Sequence, residues 1–94
     1  MVKSVAKGFF YEDKAEEAIM LYKELVEKTR EEEGCISYSL FRDIEDNSIV
    51  TMIEEWESLD ALDKHKNTEH FTRVIPKIRE LRKKSELNIY ELIY

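Results

Sequence analysis

The chain has one cysteine, one proline and two glycines among its 94 residues, and no apolar run near the ~20 residues that spanning a bilayer takes. Each scarcity excludes something. Cys35 alone can form neither an intramolecular disulfide nor a thiolate metal cluster. So few glycines and prolines rule out a flexible or collagen-like chain. Net positive charge is also missing: 21 acidic against 15 basic residues give −6, which repels a phosphate backbone and makes nucleic acid a poor partner. The opening Met-Val-Lys-Ser-Val is too short and polar for a signal peptide, so a cytoplasmic location is expected.

What is present is enough for a core. Hydrophobic residues make up 43% of the chain and charged residues 38%. No linker, repeat or low-complexity segment interrupts them, so residues 1–94 are expected to form one domain. A domain this small buries only ~60–65% of the surface its unfolded chain exposes. Oligomerisation is therefore expected.

Periodicity gives the elements. Val2 to Phe10, rich in β-branched and aromatic residues, predicts a strand. From Asp13 to about Glu32 the spacing becomes helical, with Ala15, Ala18, Ile19, Tyr22, Leu25, Val26 and Thr29 on one stripe and Gly34 as the stop. Acidic residues crowd the start of this helix and basic ones its end, as the helix dipole favours. Ile36, Tyr38 and Leu40 alternate with Ser37, Ser39 and Phe41, and a second strand runs from Ser48 to Trp56. The Asp- and Asn-rich link 43–47 makes the two a hairpin. Ser58 predicts the N-cap of a helix through Leu59, Ala61 and Leu62, and Thr68 that of another through Phe71, Val74, Ile75, Ile78 and Leu81. Pro76 inside the latter predicts a kink or break. Leu87, Ile89, Tyr90, Leu92 and Ile93 predict a last strand reaching nearly to Tyr94.

Strand, helix, strand, strand, helical segment, strand is the order of a ferredoxin-like α+β domain, with helices covering one face of an antiparallel sheet. Large apolar residues on both parities of the later strands imply that the other face is also buried. A second copy of the chain is the expected cover, closing two sheets into a shared barrel. A ligand cavity is expected between sheet and helices.

Gly34-Cys35-Ile36-Ser37-Tyr38, then Glu54-Glu55-Trp56-Glu57-Ser58 with Ala61-Leu62, then His65 through Thr68 to His70-Phe71 together resemble the antibiotic biosynthesis monooxygenase (ABM) family over nearly the whole chain. The resemblance implies a homodimeric α+β barrel whose catalytic members oxidise quinols or phenols with O2, using neither metal nor flavin. The substrate is then the reductant, and the protein need only favour the phenolate, hold it near O2 and exclude water.

Such a site needs a base, an aromatic surface and few other polar groups. His65 is the best base in the chain, because imidazole titrates near neutral pH. Its plain alternative is a helix residue among Asp63, Lys64 and Lys66. Trp56, Tyr38, His70 and Phe71 are expected to line the substrate site; Tyr90 could also donate a hydroxyl but reads most simply as packing. His70 stands five residues beyond His65, off its face on a continuous helix. A His-His metal pair would require Asn67 and Thr68 to break the helix, so His70 reads as a cap or packing residue and no metal site is expected. Cys35 reads as a small buried residue and not as a nucleophile. The basic stretch Lys77, Arg79, Arg82, Lys83 and Lys84 reads as a solvated face, and Glu31-Glu32-Glu33 and Glu54-Glu55 as surface charge, with Glu55 the one placed to turn inward.

Three functions follow. The first is a cofactor-independent monooxygenase acting on a small quinol-like or phenolic aromatic, with His65 as base. The second, a non-catalytic dimeric module that binds a small aromatic ligand, predicts binding without O2 uptake. The third, haem degradation, ranks lowest: the resembling branch has an Asn where this chain reads Ala6-Lys7-Gly8, and a haem-ligating His where it has Val74.

Overall fold

A computed structural model describes residues 1–94. Its elements are β1 (Val2–Phe10), a 3-10 turn (Glu12–Lys14), α1 (Ala15–Thr29), β2 (Cys35–Arg42), β3 (Ile49–Trp56), α2 (Leu59–His65), α3 (Glu69–Arg79) and β4 (Arg82–Glu91). The strands form one antiparallel sheet in the order β2-β3-β1-β4. This is the ferredoxin-like α+β architecture that the element order predicts. No helix is long and apolar enough to cross a membrane.

Period-two alternation sorts the strands into two faces. On β3, Val50, Met52, Glu54 and Trp56 are buried while Ile49, Thr51, Ile53 and Glu55 are only partly so. The buried set faces the core with Val2, Ser4 and Phe10 of β1 and the α1 stripe Ala15, Ala18, Tyr22, Leu25 and Thr29. Val74 and Ile78 of α3 and Leu62 of α2 complete it. Burying each large aliphatic side chain contributes about 1.5–3 kcal/mol. On the opposite face Phe41 and Tyr90 remain exposed and Phe9, Ile49 and Ile53 half-buried.

Four features depart from the periodicity. Helix α1 ends at Thr29, short of Glu32, and residues 30–34 turn tightly, with Glu31 N–H donating to Lys28 O and Glu32 N–H to Thr29 O. Gly34 is not the helix stop but the hinge into β2. Its φ is +86°, and a Cβ there would lie 2.6 Å from the Ala61 Cβ, so glycine is required for both backbone and space. Pro76 neither breaks nor ends α3, which continues to Arg79. Pro76 and Thr72, whose carbonyl loses its helical donor, are both exposed, so water can serve that carbonyl. Finally, β4 begins at Arg82 and leaves out Leu92–Tyr94, and it lies at the sheet edge, where its apolar residues stay exposed.

Between α2 and α3 the helix does break. The Ser58 hydroxyl accepts from Ala61 N–H at 3.1 Å and the Thr68 hydroxyl from Phe71 N–H at 3.3 Å. Thr68 Oγ1 also donates to His65 O at 2.8 Å. One side chain thus closes α2 and opens α3, redirecting the chain between the two histidines.

Candidate functional site

A cavity of about 130 Å³ lies between the sheet and the helices. An apolar cavity of ~150 Å³ takes up benzene, so this one is sized for a single ring. Register builds its floor. Tyr38, Glu54, Ser4 and Ile89 are paired in one row across all four strands, and all four line the cavity. Ala6 and Leu87 add the next row, and His65, Phe71 and Ile75 close it from above.

His65 is 1% exposed. Its Nδ1 lies 2.8 Å from Glu32 Oε2, and His70 Nε2 lies 2.6 Å from the same oxygen. A carboxylate oxygen can only accept, so both rings donate to it, and His65 carries its proton on Nδ1. Its Nε2 is then the basic nitrogen, and that atom is buried with no partner. Burial holds the imidazole below its ordinary pKa, and the Glu32 hydrogen bond and charge only partly offset this. His65 is thus neutral at physiological pH.

A second carboxyl stands nearby. Glu54 is 7% exposed, and its Oε1 accepts from Trp56 Nε1–H at 2.9 Å. Burial pushes its pKa up to about 7, against the lowering effects of the Trp56 hydrogen bond and of Lys66. The group can therefore donate or accept a proton near neutrality. Burial also drives the hydroxyls of Tyr38 and Tyr22 to higher pKa, so both stay protonated.

Aromatic rings pack around His65. The ring centroid of Trp56 lies 4.8 Å away, Phe71 5.0 Å and Tyr38 5.3 Å. His65, Tyr38 and Phe71 line the cavity, whereas Trp56, His70 and Tyr90 do not. Trp56 is fully buried, donates to Glu54 and packs against the ring of His65. His70 is not a cap or packing residue, because the break at Thr68 brings it to Glu32. Cys35 is half-buried and its thiol is pushed up to about 11, chiefly by burial, so it is no nucleophile at neutral pH.

The two acids that matter read in the sequence as surface charge. Glu54 shares parity with Val50 and Met52, a signal that identifies it, whereas Glu55 lies on the other face and accepts from the Ser37 hydroxyl. Glu32 carries no such signal, because only the tight turn after α1 brings it beneath the histidines. Glu32, His65 and His70 also offer one donor atom each within 4.8 Å of one another, a grouping that could converge on a divalent cation. The carboxylate already satisfies both ring N–H groups without one.

This geometry occurs in a chain with close relatives. Residues 1–77 match the family model described as antibiotic biosynthesis monooxygenase. An uncharacterized protein of Synechocystis is 42% identical over 82 residues, which cover 85% of this chain and 55% of that protein. The chain thus spans about half the length of that relative. YcnE of Bacillus subtilis is 33% identical over 69 residues, 73% of each chain. Among solved structures, one described as an antibiotic biosynthesis monooxygenase superposes with a TM-score of 0.94 at 38% identity over the whole of both chains. A conserved protein of Methanosarcina mazei Go1 gives 0.95 at 38% identity, covering 98% of this chain and 92% of that one. By its matched residues and its fold, this chain belongs to the antibiotic biosynthesis monooxygenase family.

Proposed function

We propose that the protein is a cofactor-independent monooxygenase that oxidises a single-ring hydroquinone or phenol with O2. The observation that carries this reading is His65, a neutral, buried imidazole with Nδ1–H tied to Glu32 and a free Nε2, in a cavity sized for one ring. In this mechanism His65 Nε2 takes the phenolic proton. The resulting phenolate is electron-rich enough to reduce O2 directly, first forming a carbon–oxygen bond to the ring. As the O–O bond breaks, the oxygenated ring carbon gives up its C–H proton and becomes a carbonyl; the distal oxygen takes that proton and one from the Glu54 carboxyl and leaves as water, and the phenolic proton held by His65 restores Glu54. A hydroquinone and O2 thereby yield a hydroxyquinone and water, all electrons coming from the substrate.

The small cavity also speaks against haem, whose macrocycle is several times larger than one ring. The exposed face of the sheet, with Phe41 and Tyr90, supports a homodimer in which a second copy covers it. A cytoplasmic location accords with a lone, unpaired cysteine.

Oxygen uptake by chelator-treated protein with hydroquinone, against a protein-free control for autoxidation, tests the reading. Saturable uptake should fall about 100-fold or more in His65→Ala, the usual scale for losing a general base. No uptake above the control would overturn it. Ligand-dependent quenching of Trp56 in that case would point instead to a non-catalytic module that binds small aromatics.

A further inference from the structure

The basic residues from Lys77 to Lys84 look alike in sequence and separate in space. Lys83 lies 6.0 Å from the centroid of the Tyr11 ring and Lys84 4.5 Å from that of Phe9, and Lys77 is exposed on α3. Arg79 and Arg82 instead line the cavity, where Lys66, the residue after His65, joins them. Charge pairing does not separate them, since Lys77, Lys83 and Lys84 are also without ion pairs; the cavity lining does. The ion pairs of the chain engage Lys3, Arg42, Lys64, Arg73 and the two histidines. Arg73, on the same helix as Arg79, is held by both Glu24 and Glu69 at 2.6 and 2.7 Å. Lys66, Arg79 and Arg82 take part in no such pair.

In a chain of net charge −6, three cations converge on the lining of one cavity, Lys66 and Arg79 with their heads in solvent and Arg82 half-buried with the Tyr22 hydroxyl as its partner. Two acids share the lining. Glu86 is exposed on β4, and Glu54, in the floor, already accepts from Trp56. Arg82 is half-buried beside the Tyr22 hydroxyl, where its field is screened less than that of a fully exposed charge. A guanidinium pair offers planar, bidentate donors suited to a carboxylate or phosphate.

We propose that Arg79, Arg82 and Lys66 form an anion subsite, so that the ligand is a phenol ring bearing a carboxylate or phosphate, its hydroxyl toward His65 and its charge on these cations. This deepens the reading of the cavity as a phenol site and rests on it. The ring and the hydroxyl fill the enclosed part, and the anionic group takes the polar part that the apolar lining cannot satisfy. A neutral hydroquinone would then still occupy the ring site and be oxidised, at a higher KM than the anionic ligand.

Calorimetric titration with 4-hydroxybenzoate, 4-hydroxyphenyl phosphate and the neutral near-isostere 4-hydroxybenzamide tests the proposal. At least one anion should bind about tenfold or more tighter than the amide, the scale of charge-assisted hydrogen bonds. In Arg79→Gln/Arg82→Gln that ratio should collapse to about one, the amide serving as the internal reference for an intact cavity. Comparing the two anions identifies which group the cations prefer. Equal affinity for amide and anions in the native chain, or a preference that survives in the double variant, would overturn the subsite. Failure of all three ligands to bind would instead overturn the phenol-site reading beneath it.

Discussion

Two carboxyl groups, Glu32 bonded to His65 and Glu54 in the lining of the same cavity, are treated in opposite ways by their surroundings. Glu32 sits on a turn, accepts from two imidazoles through one oxygen and fixes the proton of His65 on Nδ1. Glu54 sits in the middle of a sheet, accepts only from an indole and is driven by burial to ionise near neutral pH. The difference teaches that residue type does not set the role of an acid: the number of donors and the access of water do. One carboxylate fixes an imidazole tautomer, and the other holds its proton to near neutrality.

Glu54 and His65 also bend stability with pH, in opposite senses. Glu54 binds its proton more tightly folded than unfolded, so its protonated form favours the native state below about 4.5, and that stabilisation is lost as pH rises towards about 7. His65 binds its proton less tightly folded than unfolded. Its contribution is present above the ordinary histidine range near 6.5 and is lost as pH falls below it.

Substitutions on either side sharpen this contrast. The largest effect is expected from Trp56→Ala, which removes a fully buried ring and the donor to Glu54; urea unfolding should show a loss of about 3–5 kcal/mol. Next is Glu54→Gln, which keeps the acceptor for Trp56 but cannot ionise. Unfolding at pH 8 should find it more stable than the native chain by on the order of 3 kcal/mol, with the gain gone at pH 4. A flat difference across that range would show that Glu54 does not carry a buried charge. Glu32→Ala leaves the buried His65 Nδ1–H without an acceptor and should cost about 2 kcal/mol. Because Glu32 raises the His65 pKa, the same change should move the imidazole titration, followed by NMR, to still lower pH; an upward move would break the assignment of roles. His70→Ala removes only one of two donors to Glu32 and should cost about 1 kcal/mol.

Much of the fold is legible in the residues, and the reason is period. The α1 stripe, the hairpin and the caps at Ser58 and Thr68 each require only local geometry. Parity on β3 also contains Glu54, since it alternates in phase with Met52 and Trp56. Its reading as surface charge came from composition, and position overrode it. The misplacement of β4 has the same root. A run of apolar residues looks buried wherever it stands, but this one lies at the edge of the sheet, and the order of strands is not a local property.

The sequence by itself determined the elements, the face each presents to the core and the candidacy of His65, because those follow from side-chain spacing and intrinsic chemistry. Tertiary structure alone decided that Glu32, on a turn 33 residues before His65, fixes the proton of that ring, and that His70 joins it. It alone set the arginines of one basic run apart from the lysines beside them. These outcomes depend on where the ends of separate elements meet, and hydrogen bonds and charge act through space at distances of a few ångströms, whatever the separation along the chain.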